Sequence, residues 1–323
     1  MWGMDIIMRG INTSSIVFIL IVIFNIVVFS TLSHKKRKQN NHKASGIVTL
    51  GILIVNVVLI IGLIYSSSNI GVTHYSIQSD KITPDFDGYK ILQISDYHTG
   101  SFRGGPDKLV RIVLNEKPDI IVLTGDIIDE TAINLKSVNE LVSQLTIIAP
   151  VYSVSGNHDI WYHDFSGLQD ILKNKGVVLL ENKKVTLTRG YSHISLFGIA
   201  DPDIWNDMGS EEYLKKKMNE LQQENGYNIL LFHRANMFDI IKGNGYQLIL
   251  SGHMHGGQVQ IPFVGGLVSP HQNRRWLPKY TDGKWSDEGT TMIVSRGLGN
   301  NVSVPRILNP PEVVVVTLKS NQL

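Results

Sequence analysis

A 323-residue chain with 30 Lys and Arg against 28 Asp and Glu carries a net charge of +2. That balance gives neither the basic surface of a polynucleotide binder nor a strongly acidic face, so no nucleic-acid partner is expected. The chain has no cysteine. Disulfides, thiolate ligands and a cysteine nucleophile are thereby excluded, and any metal would be held by His, Asp, Glu or Asn.

In chain order, two apolar runs come first, Ile11–Leu32 and Gly46–Tyr65, neither with a charged side chain. Each has the length that crosses a hydrocarbon core of roughly 30 Å as a helix. Neither has the polar face of a core helix. The first leads into His34-Lys35-Lys36-Arg37-Lys38, not into a signal-peptide cleavage site. Residues 1–65 therefore read as an anchor of two transmembrane helices in a lipid bilayer. Lys35, Lys36, Arg37, Lys38 and Lys43 lie between the runs, and no Lys or Arg stands from Ser66 to Asp80. Basic loops stay on the cytoplasmic side, which makes this a multi-pass protein of the cell membrane with everything after Tyr65 extracytoplasmic.

Residues 66–89 read as a linker and edge strand, because Thr73–Gln78 alternates in polarity. From residue 90 to 323 short apolar runs alternate with helical segments. The runs are Ile91–Ile94, Ile120–Leu123, Val151–Val154, Val177–Leu180, Ile194–Ile199, Ile229–Phe232, Leu248–Leu250, Met292–Val294 and Val313–Leu318, and Asp107–Asn115 and Glu211–Gln223 have helical periodicity. Fully apolar runs suit strands buried on both faces, so the domain is α/β, with layered sheets and helices. A long connection, Gln258–Gly289, is of the kind that is functional or without fixed structure.

Polar clusters follow five of the expected strands: Asp96-Tyr97-His98, Gly125-Asp126-Ile127-Ile128-Asp129, Gly156-Asn157-His158-Asp159, His233-Arg234 and Gly252-His253-Met254-His255-Gly256-Gly257. Carboxyl ends of strands in an α/β sheet converge on one crevice, so the five clusters should meet in space. In extended backbone, residues two apart share a side, which would pair Asp96 with His98 and His253 with His255. Imidazole and carboxylate together suit Zn, Mn or Fe, and seven such ligands are too many for one ion. Taken singly, a His or Asp at a strand end is more often a satisfied polar residue than a ligand; the set carries the inference. His34, His42, His74 and His193 read as solvated or surface residues. Trp161, Tyr162 and His163 could line a pocket or pack a loop. Arg103 and Arg234 could meet a phosphate or pair with an acid. Trp276 and Trp285 could reach a bilayer interface or hold the long loop down.

The five blocks, in this order, resemble the calcineurin-like metallophosphoesterase superfamily (D-x-H, G-D-x-x-D, G-N-H-D/E, H, G-H-x-H), with no departure at a ligand position. The apolar anchor, Gly-His-Met-His-Gly-Gly-Gln and the ending Val294-Ser-Arg-Gly-Leu-Gly…Pro310-Pro-Glu are similar to its bacterial membrane-associated YkuE/YaeI-type phosphodiesterase branch. The resemblance implies a four-layer α/β/β/α sandwich and two divalent metal ions per chain. Asp96, His98 and His255 would hold the first, Asn157, His233 and His253 the second, and Asp126 would bridge. It also implies hydrolysis of a phosphate ester, a diester before a monoester, by hydroxide held on the two metals. His158 would be the general acid, oriented by Asp129. Location alone points to lipid or cell-envelope phosphoesters as substrate. A binding-only membrane protein that keeps the fold is the alternative from another class.

Overall fold

The computed structural model describes residues 42–68, 70–99, 105–204, 208–268, 276–300 and 304–322, with isolated positions between 23 and 34. Apart from those isolated positions, the first apolar run lies outside the described residues, as do Lys35, Lys36, Arg37 and Lys38 of the basic loop and Arg103. The second run forms α1 (His42–Ser68). Its window Thr49–Ser66 is long and apolar enough to cross a membrane, and Leu53, Ile54, Ile60, Ile61 and Ile64 point outward, exposed. Among the described residues it is the only such helix; the first expected span falls largely outside them.

Two six-stranded sheets follow. The first is ordered β1 (Gly71–Ser79), β14 (Glu312–Ser320), β2 (Lys90–Ile94), β3 (Ile120–Thr124), β4 (Val151–Val154) and β5 (Val178–Leu179). The second is ordered β12 (Gly283–Asp287), β13 (Thr290–Val294), β9 (Leu248–Gly252), β8 (Asn228–Arg234), β7 (Ser192–Gly198) and β6 (Lys183–Arg189). β2 to β5 run parallel, as do β7, β8, β9 and β13. Strands buried on both faces need helices outside, and that is the arrangement. Ile91, Val122, Val314 and Val316 meet Leu196, Ile229, Leu250 and Ile293 between the sheets. The outer face of the first sheet, with Leu92, Leu123 and Val315, is covered by Leu109, Leu141, Leu145 and Leu168. These come from α2 (Gly105–Glu116), α3 (Lys136–Ile148) and α5 (Phe165–Asn174), the short α4 (Asn157–Trp161) lying between the last two. Phe197, Leu230 and Met292 on the second sheet are covered by Leu214 and Met218 of α6 (Ser210–Glu220). The layers are α/β/β/α.

β1 pairs in parallel with β14 over all nine of its residues, so the segment expected as linker and edge strand belongs to the first sheet. α3, α5 and β6 escaped sequence reading. β6 is an outer strand with mostly exposed side chains, Leu187 being its one buried residue, and such a strand has no apolar run to find. The end of α1 is not free either. Leu59 and Leu63 pack on Ile307, as do Val259 and Leu308, and Ser66 Oγ accepts a hydrogen bond from Asn309 N at 2.9 Å.

Candidate metal centre

Parallel strands aim their carboxyl ends the same way, and β2, β3, β4, β8 and β9 each deliver one polar cluster to a common crevice. Asp96, His98, Asp126, Asn157, His233, His253 and His255 are all there, none more than 6% exposed. The nitrogen and oxygen atoms of Asp96, His98 and His255 lie within 4.8 Å of one another, and so do those of Asp126, His233 and His253. The Asp126 carboxylate stands between the groups: Oδ2 is 3.1 Å from His233 Nε2 and 3.8 Å from His98 Nε2. His98 and His255 stack at 5.2 Å, and His233 meets His253 edge-on at 5.0 Å.

The local backbone is not the extended one expected. Asp96, His98, Asp126, His253 and His255 all have positive φ, between 43° and 73°. Non-glycine residues seldom adopt this region, and a cluster of them marks a functional site held by its surroundings. His253 and His255 fall in different groups, so their expected pairing on one side does not occur, whereas Asp96 and His98, also both at positive φ, do share a group. Glycine is required where chains nearly touch: a Cβ on Gly156 would run into Asp126 Oδ1, and one on Gly125 would meet Gly156 N at 2.6 Å.

Four further residues hold these turns, and none was singled out from sequence. Asp159 accepts from the backbone N–H of Gly156, Asp126, Ile127 and Ile128 at 2.8–3.1 Å, lashing two ligand loops together. Asn309 Nδ2 donates to the backbone oxygens of His255 and Gln258 at 2.7 and 3.1 Å. Buried Arg306 donates to Gly299 O and Arg296 O and sets its guanidinium 3.3 Å from His255 Nδ1. Glu130 contacts His158 Nδ1. Asp159 stood inside a recognised block, but Arg306 and Asn309 lie some fifty residues beyond His255 with no local pattern to mark them.

Asp129, expected to orient His158, does something else. Its carboxylate accepts from Thr131 N and Thr131 Oγ1 at 2.9 and 2.6 Å, a local Asx-type turn. The next residue, Glu130, takes the place beside His158. Arg234 is committed to Asp201 through Nε and Nη2, both at 2.7 Å, and to Asp203. Trp161 is half exposed and lies edge-on to His158 at 5.0 Å, whereas Tyr162 is buried and touches His163. Trp285 donates to Asp282 O and packs on Tyr280, holding the long loop. Trp276 is exposed. His74 lies 2.9 Å from Glu116, and His193 is at the surface.

The two groups differ in charge. Burial pushes the Asp96 carboxyl up to about 6, with His233 opposing. Burial pushes His98 down to about 4, and it pushes His255 well below its ordinary value, aided by His98 and Arg306. Burial would lower His233 too, but Asp126, Asp96 and Asp201 reverse it and lift it to about 10. Burial raises Asp126, yet His233, His158 and His98 hold it well below the carboxylate range.

Cations fit this donor set. Asn157 Oδ1 is buried without a hydrogen-bond partner, a state that costs about 1–3 kcal/mol in a protein interior unless something else satisfies the oxygen. His233 Nδ1 lies 2.8 Å from Thr124 O. A carbonyl only accepts, so Nδ1 carries the proton and Nε2 is left to face Asp126 and the crevice, as a ligating imidazole needs.

The family model for calcineurin-like phosphoesterase matches residues 89–257, the span that contains all five clusters. YkuE of Bacillus subtilis (strain 168), an uncharacterized metallophosphoesterase, is 34% identical over 77% of this chain and 85% of its own length. Phosphodiesterase YaeI of Escherichia coli (strain K12) is 25% identical over 71% of this chain and 82% of its own. A Danio rerio transmembrane protein with a metallophosphoesterase domain is 27% identical over 93% of this chain and 71% of its own. The chain belongs to the calcineurin-like phosphoesterase family and is a metal-dependent hydrolase of phosphate esters.

Proposed function

We propose that the protein is a two-metal phosphodiesterase working at a membrane surface, with Asp96, His98 and His255 holding one cation, Asn157, His233 and His253 the other, and Asp126 between them. The observation that supports this most is the position of Asp126 Oδ2 within reach of one imidazole from each group. Mn, Zn or Fe suits the nitrogen and oxygen donors. Two such cations would supply Lewis-acid charge to the phosphoryl oxygens and lower the pKa of an attacking water from 15.7 to about 7.

The chain's own groups do the rest. His158 stands edge-on to His98 at 4.9 Å, at the lip of the crevice. Burial lowers its pKa, but Asp126 and Glu130 outweigh burial and raise it. An imidazole that keeps its proton near neutral pH can donate it to a leaving oxygen, the role of a general acid. Glu130 positions that ring. Asp159 and Asn309 fix the backbones of Asp126 and His255, so that ligand direction does not depend on the cation alone.

The membrane part rests on α1 and on the charge asymmetry around it. The arrangement is an anchor through residue 65, β1 as the first element of the catalytic unit, and the domain 90–323 on the extracytoplasmic side. An ester on a lipid headgroup or envelope polymer is the substrate class within reach there. The test is hydrolysis of a chromogenic diester and monoester by the full chain in detergent, with and without chelator. Diester activity that vanishes with chelator and returns with Mn or Zn is expected. Metal-replete protein without activity on either ester would favour the binding-only alternative.

A further inference from the structure

The long connection after His255 carries a feature that hydrolysis does not use. β10 (Gln260–Ile261) and β11 (Gly265–Gly266) form a short antiparallel hairpin. At its tip Val264 N donates to Ile261 O at 3.0 Å across Pro262 and Phe263. Phe263 has φ 68°, so it occupies the position of a type II turn that favours glycine or asparagine. Its side chain is nevertheless a phenylalanine and fully exposed. Val264 beside it is exposed as well. A bulky apolar group in a backbone region disfavoured for it, and facing out, is not explained by folding.

Its neighbours share the character. Trp276 bridges Val268, Leu277 N donates to Leu267 O, and both Trp276 and Leu277 are exposed. Leu267 N in turn donates to Val259 O, and Val259 bridges Ile307, on which Leu59 and Leu63 of α1 also pack. The apolar tip and the Trp276–Leu277 pair are thus continuous with the last turns of the one described helix long enough to span a membrane. Gly62 lies so close to Leu308 and Ile307 that a Cβ there would meet them at 3.0–3.1 Å, which sets the segment bridged to Val259, just before the hairpin, against the helix. Aromatic and aliphatic side chains beside a span settle at the headgroup boundary.

We propose that Phe263, Val264, Trp276 and Leu277 form a foot that enters the same leaflet as the end of α1, holding the His255 turn at the bilayer surface. This rests on the membrane reading of α1. The absence of cysteine makes the test direct: Phe263→Cys, Ile54→Cys and Tyr191→Cys are each labelled with an environment-sensitive fluorophore in the full chain, reconstituted in phosphatidylcholine–phosphatidylglycerol vesicles. Val264→Cys serves as a second tip position should a change at 263 disturb the turn. Labels at 54 and 263 are expected to be quenched by lipid-borne spin labels and shielded from iodide, with the reverse at 191. A label at 54 in lipid and one at 263 open to iodide would overturn the foot alone. Iodide access at 54 would overturn the membrane reading and the foot with it. A tip shielded from both quenchers would mean that protein, not lipid, covers it, and would also overturn the proposal.

Discussion

Around Asp96 the imidazoles are kept neutral, whereas around Asp126 one imidazole is kept charged. His98 and His255 face each other, His255 also facing Arg306, and burial strips their protons. His233 faces three carboxylates and keeps its own. The same residue types, taken into the same crevice, thus arrive in opposite protonation states because their neighbours differ. Without cations, Asp126 and His233 satisfy one another as an ion pair, while the Asp96 group lacks a charged imidazole partner and its carboxyl rises to about 6. A cation entering the first group displaces little. One entering the second must expel the His233 proton.

Removing the residue common to both groups should have the largest effect. Asp126→Asn is expected to lower kcat on a chromogenic diester by more than ~10⁴-fold, because it weakens the hold on cations whose effect on water alone spans roughly nine pKa units. Elemental analysis of the same preparation should show metal lost from both groups; loss from one would break the picture of a shared carboxylate. His158→Ala should cut kcat by about 10²–10⁴-fold, the range for a general acid, with metal content unchanged. If metal leaves as well, His158 is a ligand. Its companion Glu130→Gln should move the basic limb of the pH–rate profile to lower pH, since Glu130 helps raise the His158 pKa.

Asn309→Ala should weaken metal binding by ~10–100-fold, as loss of an outer hydrogen bond to a ligand does. The weakening should fall on the His255 group and spare the His233 group, which sharpens the contrast between them. The most gradual effect is the pH dependence of loading. The His233 pKa is raised from 6.5 to about 10, so between those values affinity at the second group should rise about tenfold per pH unit, one proton being displaced. The first group should lose affinity only below about pH 6, where Asp96 takes up a proton. The same shift has a sign for stability. His233 stabilises the metal-free fold fully below pH 6.5, and that contribution is lost as pH rises toward 10. Tm of chelated protein across that window would show it.

Much of this was legible beforehand because it follows from residue type and strand order. Buried strands announce themselves as apolar runs, and polar clusters at their ends meet wherever a parallel sheet forms. The backbone conformation at those ends was not legible: nothing in Asp96-Tyr97-His98 or His253-Met254-His255 marks left-handed residues, and of the two expected pairings Asp96 with His98 forms whereas His253 with His255 does not. Partners distant in sequence were equally hidden. Arg306 and Asn309 reach His255 only because the chain before β14 crosses behind it. A boundary at Tyr65 looked natural by hydropathy, yet Ser66 holds Asn309 and Gly62 packs on Leu308. α1 and the candidate metal centre are therefore joined by two hydrogen bonds through Asn309. Equally hidden is the turn in which the Asp129 carboxylate accepts from Thr131 while Glu130 lies beside His158.

The most direct measurement is the number of cations bound per full-length chain, by elemental analysis after dialysis against Mn or Zn at pH 8, with activity followed through chelation and return. Two per chain, with activity lost and recovered in step, is the expected result. A single cation per chain with full activity would contradict the two-group centre and leave Asp126 without its bridging role.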